Sequence, residues 1–152
     1  MKKLVSRLMA VLMAMIMILS MSMTAFAAEA SKGTLTVNNT VAGKTLDLYQ
    51  IFTATKSGDN VAYTLNSAYE GFFQSKITDA SALTGEALSE KAYEYVKTQV
   101  GEDGKNGVNF AKAMLTWILS NTSTVDATHK TVTTATGSTE IANLAYGYYV
   151  VY

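Results

Sequence analysis

The spacing of apolar residues changes period twice along this chain, and that limits the fold more than any single residue does. In "GTLTVNN", Gly33 to Asn39, Leu35 and Val37 alternate with Thr34, Thr36 and Asn38. This two-residue period is that of a half-buried strand. "KTLDLYQIFTA" (Lys44 to Ala54) follows after the turn "NNTVAG", placing Leu46, Leu48 and Phe52 on one face and Tyr49 and Ile51 on the other. Both faces are apolar, which predicts an interior strand. "KSGDN" is turn chemistry, and "VAYTLN" completes a hairpin.

The period then becomes helical. In "TGEALSEKAYEYVKTQVG", Leu88, Ala92, Val96 and Val100 recur every fourth residue, with Thr84 placed to cap the start and Gly101 just past the end. Glycines 101, 104 and 107 make a loop, after which Phe110, Met114, Trp117 and Ile118 share a stripe and Asn109 is the expected cap. "SAYEGFF" (Ser67 to Phe73) predicts a shorter helical turn. From Thr122 the stripe ends, and two strands joined at "ATGST" are expected before the closing "AYGYYVVY". There Tyr146, Tyr148, Val150 and Tyr152 share one face, and Tyr149 and Val151 the other. Strands that flank a helical middle with no dividing linker predict one mainly β domain over 28–152. We expect a β-sandwich with a two-helix insertion near 67–121.

Residues 1–27 are different material. Lys2, Lys3 and Arg7 precede an apolar run from Leu8 to Met23, and "TAFAA" sets Ala25 and Ala27 in A-x-A order before Ala28. This predicts a signal peptide helix cleaved after Ala27 and a secreted or cell-surface destination. The competing reading is a membrane anchor, which needs roughly 17 to 25 apolar residues. The small-residue exit and the polar segment after it favour cleavage, with no membrane association afterwards. Without the leader, nine lysines face twelve carboxylates. That balance argues against a nucleic-acid partner, which would want a basic stripe.

Few residues suggest chemistry. With one histidine, His129, and no cysteine, the common transition-metal clusters and histidine-assisted nucleophiles cannot be assembled. His129 is expected to be a solvated strand residue. "GEDGKNG" does not place oxygen ligands at the alternating positions of a calcium loop, so no metal or other cofactor is expected. Asp47 and Glu140 are the carboxylates a glycosidase-like reading would need side by side, but solvent-face strand positions explain them better. The nine tyrosines fit core and cross-strand packing, or else an aromatic binding surface.

A leader followed at once by "GTLTVNNTVAGKTLDLYQIF", together with the closing "GSTEIANLAYGYYVV", resembles the amino-terminal domain of Gram-positive, sortase-assembled pilins, the isopeptide-forming fimbrial subunits. The ending is similar to that family's G-x-x-x-I-x-N-L-x-x-G-Y-Y-x-V. The resemblance implies an immunoglobulin-like sandwich of the collagen-adhesin B type. It also implies a non-catalytic role in surface adhesion or pilus assembly, with other pilin subunits and a sortase as partners. Many such domains carry an internal bond from lysine to asparagine or aspartate, formed in an apolar core beside a buried acid. Lys44, Glu140 and Asn143 offer those groups here, although the first strand carries Thr34, Thr36 and Asn38 where the lysine would be expected.

These 152 residues contain no proline, so the family's lysine motif and LPxTG-like signal are absent from this stretch. A sortase would act through regions beyond it. Pilins continue past the Gly-Tyr-Tyr strand, so the expectation is a piece truncated at its C-terminus, with a sheet edge left open to association or β-augmentation. The alternative function is a free secreted module that binds a glycan or host protein.

Overall fold

A computed structural model describes residues 32–57, 60–101 and 107–152. The expected signal peptide, including Ala25, Ala27 and Ala28, and the core of the glycine-rich loop, 102–106, lie outside the described residues.

The longest strand, β2 (Thr45–Ser57), organises the larger sheet. β3 (Asn60–Leu65) pairs with its second half from Ser57↔Asn60 to Phe52↔Leu65, confirming the expected hairpin. β4 (His129–Thr133) pairs with its first half, from Thr45↔Thr133 to Tyr49↔His129. β6 (Gly147–Val151) overlaps both registers, pairing Leu48↔Val151 and Thr53↔Gly147, so it occupies the opposite edge. β1 (Lys32–Thr40) and β5 (Gly137–Ala145) form a separate antiparallel ribbon. The chain therefore crosses between sheets at the β1–β2, β4–β5 and β5–β6 connections.

Between β3 and β4 run a 3-10 turn (Ser67–Tyr69) and four helices: α1 (Glu70–Lys76), α2 (Gly85–Val100), α3 (Gly107–Ser120) and the short α4 (Thr122–Val125). A second 3-10 turn, Asp126–Thr128, leads into β4. Leu88, Ala92, Val96 and Val100 are all buried, as the four-residue spacing predicts. Thr84 precedes α2 but makes no side-chain cap. Instead the Glu70 carboxylate accepts from the Gly85 N–H at 3.3 Å. α3 begins two residues before the expected cap Asn109, and it buries Phe110, Met114 and Ile118, with Trp117 packed beside Tyr69 and Phe72. Helical structure also extends past Asn121, where threonine-rich sequence predicts none, and Val125 is buried there.

Two cores result. One joins Tyr49, Ile51, Phe52, Leu65, Tyr148 and Val150 of the larger sheet to the helices. The other joins Leu48 to Ile141 and Leu144 of β5, with Leu35, Val37, Leu46, Val132, Tyr149 and Val151 around it. The expectation of a mainly β chain is corrected: helix and strand are nearly equal, the sheets are open and antiparallel, and the fold is mixed. The helices close one of the two cores.

Two bulges redirect side chains that simple alternation would misplace. In β2, Gln50↔Tyr149 is followed by Phe52↔Tyr148, so Ile51 is the extra residue. Ile51 and Phe52 consequently both enter the helical core, whereas strict alternation predicts Phe52 beside Leu46 and Leu48. In β5, Gly33↔Leu144 and Leu35↔Ile141 leave two residues opposite one, with Asn143 at φ 58°. Asparagine tolerates that left-handed conformation better than most residues. The bulge lets Ile141 and Leu144, three apart, both point inward.

Candidate functional site: a tyrosine, histidine and aspartate shelf

At the start of β2, Thr45, Asp47 and Tyr49 alternate with Leu46 and Leu48, and the neighbouring strands align polar and aromatic groups beside them. Asp47 pairs with Thr131 on one edge and Tyr49 with His129. On the other edge Asp47 and Tyr152 exchange both backbone hydrogen bonds, at 2.9 and 3.1 Å. Directly paired residues share a face. Tyr152, Asp47 and Thr131 therefore form an outer row, and Val150, Tyr49 and His129 an inner row next to the helical core.

Within these rows the polar groups are tightly joined. His129 Nε2 lies 2.6 Å from Asp47 Oδ1, and the Thr131 hydroxyl donates to the same oxygen at 2.9 Å. An ionised carboxylate can only accept, so Nε2 carries the proton of this contact. The Tyr49 ring stacks flat on His129, with centroids 4.5 Å apart and planes 6° from parallel. Tyr152 continues the stack at 6.3 Å and 11°. Burial pushes the Tyr49 phenol above its ordinary range, and the neighbouring Tyr152 and Asp47 add to that. The shelf is accessible: the side chains of His129 and Asp47 are 27% and 21% exposed, and Tyr152 is 45% exposed.

Nucleophilic catalysis by this cluster would require the hydroxyl on the ring nitrogen opposite the carboxylate. Here Thr131 Oγ1 lies 3.2 Å from Nε2, the nitrogen that already faces Asp47. The geometry is that of a hydrogen-bonded surface without the relay that would activate Thr131. Among the described residues no three histidine or carboxylate side chains converge as a metal site.

The residues singled out in the sequence are dispersed. Asp47 lies in the larger sheet and Glu140 in the ribbon, opposite Thr36, so the two carboxylates belong to different sheets. Lys44 precedes β2, where its backbone N–H donates to the Thr134 hydroxyl at 3.0 Å and its carbonyl accepts from the same hydroxyl at 3.1 Å. Lys44, Glu140 and Asn143 are all exposed, and no hydrogen bond or ion pair joins their side chains. An internal amide bond needs a desolvated lysine, and no described lysine is buried. Asn143 has a conformational role at the β5 bulge.

His129 is the residue that sequence reasoning placed wrongly: it is half-buried and engaged on ring face and nitrogen rather than solvated. Its partner Asp47 is 82 residues away. No local pattern signals the contact, because only the β2–β4 register creates it. No known protein family, curated protein or solved structure matches this chain. No helix among the described residues is long and apolar enough to cross a membrane.

Proposed function

We propose that this chain is an extracellular fimbrial domain of the pilin type, exported by its leader, that works non-catalytically in surface adhesion or pilus assembly. The observation that supports this most is the use made of the pilin-like ending. "GSTEIANLAYGYYVV" supplies β5 to the ribbon and β6 to the larger sheet, and its Ile141, Leu144, Tyr148 and Val150 serve both cores. The asparagine of that ending occupies the bulge, and its glycine the close approach of β6 to β2. In this reading the ribbon and the larger sheet are the two layers of an immunoglobulin-like sandwich of the collagen-adhesin B type, with the helices as its insertion. Its partners in this reading are other pilin subunits, joined by a sortase.

The test is an antibody against this chain applied to wall extracts of cells that produce it. The proposal expects a detergent-resistant ladder of high mass that collapses when the sortase is deleted. A single species of unit mass, found only in the medium, overturns it and favours the free binding module. The parallel rings of His129, Tyr49 and Tyr152 at an accessible sheet end support that second reading.

A further inference from the structure

The outer row of the shelf combines a flat apolar ring with mixed hydrogen-bonding groups, and this combination selects a ligand class. Tyr152 is 45% exposed and nearly parallel to Tyr49, at 11°. Beside it stand the Asp47 carboxylate, the Thr131 hydroxyl and the His129 imidazole, already oriented by their mutual hydrogen bonds. Both of these side-chain bonds to Asp47 end on Oδ1, which leaves the second carboxylate oxygen able to accept. A small number of precisely placed polar groups fixes a ligand's orientation, and groups held in place in advance reduce the ordering cost of binding.

We propose that this shelf binds a neutral pyranose of a glycan, with the sugar's C–H face against Tyr152 and its hydroxyls on Asp47, Thr131 and His129. A cationic ligand fits less well. An ammonium group favours an unpaired carboxylate or rings that enclose it, whereas Asp47 is already held by His129 and Thr131 and the three rings lie parallel. The other carboxylate acting on the Tyr49 phenol, Asp126, is on the exposed 3-10 turn beyond the inner row. A sugar hydroxyl donates to the lone pairs that these bonds leave on Asp47 and Thr131, and accepts from the Tyr152 hydroxyl. The inference is independent of fibre assembly, which the wall-extract experiment reads separately.

The full chain is passed over immobilised neutral oligosaccharides of glucose, galactose and N-acetylglucosamine, and in parallel over immobilised polylysine. Retention on at least one sugar, insensitive to salt and about tenfold weaker for Tyr152→Ala and for Asp47→Ala, is the expected result. Tyr152 is exposed, so its variant tests the site even if the Asp47 variant folds poorly. Lys112→Ala, on the outer side of α3, should leave retention unchanged. The proposal fails if the folded protein passes every sugar column, if Tyr152→Ala binds as wild type does, or if retention is confined to polylysine and lost in salt.

Discussion

The Ser89 hydroxyl joins the end of β3 to the first turn of α2, accepting from the Leu65 N–H at 3.0 Å and donating to the Gly85 carbonyl at 2.9 Å. Ser89 is only 5% exposed, so no solvent replaces it. Ser89→Ala leaves the Leu65 N–H unsatisfied inside the protein, a loss of about 1 to 3 kcal/mol. Urea unfolding should show a lower midpoint with an unchanged slope.

Tyr148 presents the opposite case. It is 2% exposed among Phe52 and Phe110, and its hydroxyl has no hydrogen-bond partner. Tyr148→Phe keeps the ring and removes an orphaned polar group, so it should be neutral or stabilising by up to about 1 to 2 kcal/mol. A clear loss in the same urea experiment would mean that the hydroxyl has a bound partner.

Burial also sets the alkaline limit. Tyr69 and Tyr93 are each pushed up to about 12 from 10.0, first by desolvation, while Tyr148 is driven higher still by burial alone. A phenol whose folded value is raised favours the protonated native state. Its contribution is complete below the unfolded value near 10 and is lost as pH rises toward the folded value. The contribution of Tyr69 and Tyr93 should therefore be constant up to about pH 10 and fall between about 10 and 12. Tyr69→Phe should make that fall shallower, by one proton in the slope of unfolding free energy against pH.

Gly147 opens β6 because nothing larger fits. A Cβ there would lie 2.2 Å from the Phe52 carbonyl oxygen and 2.8 Å from Gln50 Nε2. The first of these is backbone of the central strand and cannot rotate away. Gly147→Ala should cost more than about 3 kcal/mol or prevent folding. Circular dichroism and thermal melting would reveal it, and a variant that melts like wild type would refute the close approach.

Asn143 tests whether its importance is conformational. At φ 58°, Asn143→Gly should be tolerated, whereas Asn143→Val should lose about 1 to 2 kcal/mol. If both variants lost stability equally, a side-chain bond would be the better explanation. Intact mass of the purified protein checks the same residue for an amide link to Lys44.

Local order was legible wherever one residue's environment repeats at a fixed spacing. Leu88, Ala92, Val96 and Val100 announce the buried side of α2, and the alternation at Tyr148 to Val151 correctly sends Tyr148 and Val150 to one core and Tyr149 and Val151 to the other. The facing of Phe52 was not legible, since a bulge depends on the partner strand and has no fixed signature in β2 itself. The extent of the helical layer was likewise understated at Val125, where burial sustains a turn that threonines alone would not.

By itself the sequence determined the strands and the longer helices, though not the helical turns at Thr122–Thr128, because hydrophobic spacing is a property of neighbours a few residues apart. Only the tertiary structure decided that β1 joins β5 while β2 gathers β3, β4 and β6, and that Asp47 meets His129. Antiparallel edges offer similar backbone hydrogen bonds to any strand. The choice among them is made by which pairing fills both cores at once, and that depends on the whole chain.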